Sequence, residues 1–220
     1  MHHHPVACRA ASRAFAISCK TVLLVGILAL NLCAARSDDR LIANGPRASF
    51  WRTIYDKFPK AWKSGRPLVV REVSDREMDR LVAQTENGDD QDQNDDSVVQ
   101  GFYDRGKRDS DPDSITMRAS LKSEEAGFVF THEYGHMIWD EVLTRNDRRE
   151  YGRIWTEQHR RHRLVTEYAA DSVEEGFAEA IAAWMRTPEK LKRRDMDSWQ
   201  FVDDLAHLNP DPQDAPHGKQ

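Results

Sequence analysis

The 220-residue chain carries 37 acidic side chains against 32 basic ones, a formal net charge of −5. That sign argues against a general nucleic-acid binder, which meets phosphates with a surplus of cations. All three cysteines (Cys8, Cys19, Cys33) lie in the first 35 residues. Beyond them no disulfide framework is possible, and stability must come from a core, hydrogen bonds and any bound metal.

Residues 1–35 read as a leader. Arg9, Arg13 and Lys20 are its only charges, residues 21–30 are apolar with one glycine, and Cys33-Ala34-Ala35 offers small residues for cleavage. The apolar run is too short for an ordinary membrane span. We therefore expect a secretory signal peptide over residues 1–35, cut near Ala35. Residues 36–220 would then form a single secreted domain, extracellular or periplasmic, with no stable membrane insertion. The alternatives are an uncleaved anchor and a lipidated Cys33, the latter disfavoured by bulky Leu32. Without the three leader cations the chain carries a net charge of about −8.

Residues 47–58 place Phe50, Ile54 and Phe58 four apart and predict an amphipathic helix ended by Pro59. Residues 67–73 predict a strand. Ser74 followed by Glu77 fits a capping box, so a helix should start there and bury Met78, Leu81 and Val82. Residues 86–96 are almost wholly polar. Asp90, Asp92 and Asn94 alternate as in a calcium loop, but Asp95 and Gly101 stand where that loop needs glycine and glutamate. Asp109, Asp111 and Asp113 fail the same test at Ser114 and Ser120. Both stretches are expected to be solvated loops. Residues 98–103 and 115–118 predict strands.

Residues 123–143 predict a helix that contains His132-Glu133-Tyr134-Gly135-His136. On a helix, a four-residue step advances roughly 6 Å and closes about one turn. Both imidazoles then share a face and can share one metal ion, while Glu133 reaches a water on that ion as general base. Gly135 costs a helix interior up to about 1 kcal/mol relative to alanine, which a close-packed neighbour would explain.

Residues 148–163 predict a further helix, packed through Tyr151 and Trp155, with its basic cluster Arg160-Arg161-His162-Arg163 on the outer face. His159 and His162 are read there as surface residues. In residues 171–185, Val173, Phe177, Ile181 and Trp184 make an apolar stripe, and Glu175 and Glu179 a second stripe one turn apart. One of these carboxylates would bind the metal and the other would accept an N–H from a ligand histidine. Two capping boxes compete at the start of this helix. Asp171 with Glu174 is preferred to Ser172 with Glu175, because it leaves Glu175 free.

Residues 168–180, from Tyr168 through Glu175-Gly176-Phe177-Ala178-Glu179, resemble the third-ligand segment of the anthrax lethal factor type catalytic domain. That zinc peptidase family includes the secreted Pro-Pro endopeptidases. Its pattern is His-Glu-x-x-His, then a tyrosine seven residues before a glutamate ligand within Glu-Phe-Phe-Ala-Glu. The tyrosine spacing holds here, and Gly176 replaces the first phenylalanine. Residues 188–205 resemble the family's closing helices, and the likeness spans roughly residues 98–208. The resemblance implies His132, His136 and Glu175 as zinc ligands, Glu133 as general base, Tyr168 as hydroxyl donor to the developing oxyanion, and Glu179 as support for a ligand.

The expected fold is α+β, a zincin-like metallopeptidase domain with a small sheet and a mostly helical catalytic half. The expected activity is a secreted zinc endopeptidase acting on protein or peptide substrates, with residues 115–118 as the edge along which a peptide lies. The rival readings are a zinc-binding interaction domain without catalysis and a purely structural helical protein.

Overall fold

The computed structural model describes residues 40–86 and 98–208. The leader, most of the acidic run and residues 209–220 lie outside the described residues. Among those described, no helix is long and apolar enough to cross a membrane. The described residues are α+β, with four strands and seven α-helices.

The strands are β1 (Leu41–Ala43), β2 (Leu68–Val73), β3 (Gly101–Asp104) and β4 (Asp113–Arg118). They form one sheet in the order β1-β2-β4-β3. β1, β2 and β4 run parallel, and β3 is antiparallel to β4, with Phe102 opposite Thr116. Every residue of β4 is buried, as befits a central strand covered on both faces. This corrects the expectation for residues 115–118: β4 is central, and the strand at the sheet edge beside the helical half is β3. Asp113 corrects the reading of its surroundings as a solvated loop. It opens β4, is 1% exposed, and lies 3.1 Å from Arg66 Nε.

The helices are α1 (Ala48–Tyr55), α2 (Asp75–Glu86), α3 (Ser123–Glu141), α4 (Arg145–Arg160), α5 (Val173–Arg186), α6 (Pro188–Arg194) and α7 (Met196–His207). In α1 the buried residues are Trp51 and Tyr55, while Phe50 and Ile54 lie at the margin of the core. Phe58 leaves the helix and stacks on Tyr134 of α3, with centroids 3.9 Å apart. The four-residue spacing thus found the helix but placed its inner face one residue off, because aromatic packing against α3 outweighs the local stripe. Ser74 Oγ accepts the Glu77 N–H as expected, whereas the Glu77 carboxylate pairs with Arg80 instead of completing the box.

α4 starts three residues earlier than expected, because Thr144 and Asp147 form a reciprocal capping box. It ends at Arg160, the first residue of the basic cluster and three residues short of the expected end, and His162 takes a left-handed φ of 53°. Arg160 and Arg161 both turn back to Glu157. α3 is buried along most of its length, with the sheet, α1 and α5 around it.

Candidate metal site

The site forms where α3 and α5 cross. Gly135 permits that crossing: a Cβ there would stand 2.7 Å from Ala178 Cα, so the two backbones touch. Such contact brings the Glu175 and Glu179 stripe of α5 against the His132 and His136 stripe of α3. Gly135→Ala should therefore destabilise the fold. Overpacking against backbone costs about 1–3 kcal/mol, more than the roughly 1 kcal/mol gained in helix propensity. Denaturant unfolding and a metal competition titration should both show losses, and a more stable Gly135→Ala would refute this account of the crossing.

α5 begins differently from the expectation. Ser172 is its N-cap and accepts the Glu175 N–H at 3.0 Å, so the Asp171–Glu174 box is not the one used. Only the backbone of Glu175 is engaged there, and its carboxylate turns to the histidines. His132 Nε2 lies 3.1 Å from Glu175 Oε2 and 3.2 Å from His136 Nε2, and His136 Nε2 lies 3.5 Å from the same carboxylate oxygen. These three are the residues, among those described, whose ligand atoms are grouped closely enough to hold a metal ion.

His132 Nδ1 lies 2.8 Å from Glu179 Oε1, and Glu179 is 4% exposed. A neutral His132 therefore carries its proton on Nδ1 and turns a lone pair towards His136 and Glu175. Glu175 Oε2 is then a buried acceptor without a donor. Three lone pairs pointing at one spot call for a cation. The electrostatics agree. Burial disfavours a charged His132, yet Glu175, Glu179 and the Glu133 charge hold its pKa up, to about 10. Burial raises the Glu175 carboxyl, but both histidines outweigh it and leave it at about 2.

Glu133 is 7% exposed and lines the same cleft as the three donors without being one of them. Burial raises its pKa, the imidazoles on either side pull it down, and the Glu175 charge pushes it up again. It also accepts a hydrogen bond from the Tyr103 backbone N–H of β3, a contact that no sequence pattern announced. Tyr168 opens a short 3₁₀ turn, Tyr168–Ala170, that leads into α5. Its ring centroid is 5.7 Å from that of His132, and it bonds Glu175. Burial and the Glu175 and Glu133 charges raise its pKa, so the phenol keeps its proton.

Gly176 has its own reason. A Cβ there would fall 2.3 Å from Trp155 Cδ1, because the α4 indole fills the space and donates from Nε1 to Ala169 O at 2.8 Å. That bond anchors the turn carrying Tyr168.

A cleft of about 440 Å³ passes over the cluster, walled by Gly101, Phe102 and Tyr103 of β3 and extending to Asp140 and Glu174. An apolar recess of about 240 Å³ adjoins it, lined by Val98, Val99, Phe128 and Val129. The structure thus brings together His132, Glu133, His136, Tyr168, Glu175 and Glu179, all expected from sequence. It adds Tyr103 through its backbone. No family model, curated protein or solved structure matches the chain.

Proposed function

We propose that the protein is a zinc-dependent endopeptidase, with His132, His136 and Glu175 as ligands and Glu133 as general base. One observation carries this reading: the three donor atoms converge with edges of 3.1, 3.2 and 3.5 Å, and Glu133 stands beside them. Tetrahedral zinc with nitrogen and oxygen ligands at about 2.0–2.2 Å needs donors roughly 3.3–3.5 Å apart, so the cluster fits one ion. Two imidazoles and a carboxylate are also a hydrolytic donor set that leaves the fourth position to water. The likeness of residues 168–180 to the lethal factor type domain points the same way.

Bound zinc would supply Lewis acidity to a water and to the substrate carbonyl. Glu133 is placed to take a proton from that water and hand it to the leaving amine, and a carboxyl raised by burial suits both transfers. The Tyr168 hydroxyl donates to the substrate oxygen as negative charge develops there. Glu179 holds the His132 tautomer.

The substrate is a polypeptide in extended form, laid along β3. Arg118 N–H donates to Gln100 O, so by antiparallel alternation Gln100, Phe102 and Asp104 bond towards β4. Gly101 and Tyr103 then turn their backbone groups to the open edge above the cleft, where Glu133 already takes the Tyr103 N–H. Gly101 lets the strand approach α3, since a Cβ would lie 2.6 Å from Val129 Cγ1.

The test is metal content and cleavage of a peptide library by the same preparation. About one zinc per chain is expected, with cleavage lost on chelation and restored by zinc. Full cleavage by verified zinc-free protein would end the proposal. Tyr168→Phe separates an enzyme from an inert zinc binder: zinc should stay bound while kcat falls about ten- to a thousand-fold at similar KM. Unchanged turnover would remove Tyr168 from the reaction.

A further inference from the structure

β3 is a rim strand of four residues, yet an arginine from another element grips each end of it, Arg118 buried and Arg66 with a side chain 11% exposed. At its amino-terminal side Arg118, the last residue of β4, is 7% exposed and donates from Nε to Val99 O at 2.7 Å. The same guanidinium reaches Asp75 O at 3.2 Å and Asp79 Oδ1 at 2.6 Å. The segment entering β3 is thereby tied to the first turns of α2.

At the carboxy-terminal side Arg66, from the turn before β2, aims Nη2 at three carbonyls. These are Gly106 O at 3.0 Å, Arg108 O at 3.0 Å and Asp111 O at 2.9 Å. Its Nε lies 3.1 Å from Asp113 Oδ1, and its Nη1 lies 3.8 Å from Glu141 Oε1 at the end of α3. Asp113 also accepts the Gly106 N–H at 3.0 Å. Gly106 must be glycine for this grip, because a Cβ would sit 2.4 Å from Arg66 Nη2. One guanidinium thus binds the loop leaving β3, the start of β4 and the helix that carries His132 and His136.

Neither arginine is among the ligand atoms or the cleft lining. A buried guanidinium loses hydration and is tolerated only where many acceptors surround it. Two guanidinium groups with so little exposure, spent on the ends of one short strand, need a reason beyond holding a surface loop. We infer that Arg66 and Arg118 are positioning residues for substrate binding, two clips that keep β3 straight and at a constant distance from α3. A strand held ready spares the bound peptide the cost of ordering it. The inference rests on the peptidase reading above. It implies that the clips matter in proportion to how much of a peptide lies along β3. Arginine is required, since lysine has no planar fork and cannot serve several carbonyls and a carboxylate together.

The experiment has two readouts on Arg66→Lys and Arg118→Lys, of which the first needs no activity. Backbone hydrogen exchange of residues 101–104 should speed up by about tenfold or more, while the amides of α3 and the zinc content stay as in wild type. In the second, the ratio of kcat/KM for a peptide of about ten residues to that for a four-residue peptide with the same scissile bond should fall about tenfold. Wild-type exchange in β3, or an equal loss on both peptides, would overturn the inference. Loosening of α3 by Arg66→Lys would overturn the Arg66 assignment; if Arg118→Lys loosens α3 as well, Asp79→Asn decides. Asp79 is exposed and bonds Arg118 alone among the two clips, and its loss should speed β3 exchange about two- to threefold. No change there would overturn the Arg118 assignment. If wild-type protein with bound zinc cleaves neither peptide, the peptidase reading fails while the exchange readout still judges the clips.

Discussion

Glu133→Gln is expected to keep zinc at wild-type stoichiometry and to lower peptide turnover by about 10²–10⁴-fold, the usual contribution of a positioned general base. The substitution preserves size in a site where the side chain is 7% exposed, and the amide oxygen can still accept the Tyr103 N–H. It removes the group that would take the proton and no atom of the ligand cluster. Stability should move the other way. Burial raises the Glu133 pKa above its ordinary value, so its ionised form is held in the fold at a cost that a neutral amide avoids. A melting temperature at or above that of wild type is therefore expected, a trade of stability for activity. Zinc per chain, melting temperature and kcat should be measured on one preparation. Wild-type turnover with zinc fully bound would show that another group is the base.

His132→Ala should have the largest effect on metal and fold together. It removes one of three ligand atoms and strands Glu179, which is 4% exposed and bonded to His132 Nδ1. Loss of a supporting partner alone typically costs about 10–100-fold in metal affinity, so loss of the ligand should exceed that. Because the metal binds the folded chain, its loss also lowers stability.

The pH dependence of the wild-type protein has a definite sign. Without metal, the folded-state pKa of His132 is raised to about 10, from about 6.5 in the unfolded chain. Its protonated pairing therefore contributes fully below about pH 6.5 and fades as pH rises towards 10. Glu175, lowered to about 2, contributes above its unfolded value of about 4.3 and is lost as acid passes through 2. Zinc must displace the His132 proton, so zinc binding should strengthen as pH rises from 6 to 8 and release about one proton per ion. Over that range the metal-free protein should lose stability while the zinc-loaded protein gains it. Melting curves with and without zinc at three pH values would check this, and parallel trends would contradict it.

The side chains of the candidate site were legible in the sequence because helical periodicity is a local property. Four-residue spacing puts His132 over His136 and Glu175 over Glu179 wherever the helices lie, and the apolar stripe of Phe177 and Ile181 shows which face of α5 turns inward. Local competition between caps was harder to read. Ser172 wins over Asp171 at the start of α5, and Thr144 with Asp147 starts α4 early, since several residues in each stretch can cap and packing selects among them. For the same reason Trp51 and Tyr55, not Phe50 and Ile54, face the core of α1.

What only the tertiary structure decided concerns contacts between distant segments. Strand order is one: residues 115–118 look like any buried or edge strand in sequence, and only pairing with both β2 and β3 makes β4 central. Pairing leaves no mark in the local pattern, because backbone N–H and C=O groups are the same in every residue. That is also why the Tyr103 bond to Glu133 was invisible. The glycines divide along the same line. Gly135 and Gly176 are obvious oddities within helices, but the reasons, Ala178 across the crossing and the Trp155 indole, lie 43 and 21 residues away in the chain. The sequence by itself determined which side chains share a helix face at the candidate site. Close packing at those two glycines, and the order of four strands, decided where the groups meet and which edge stands open beside them.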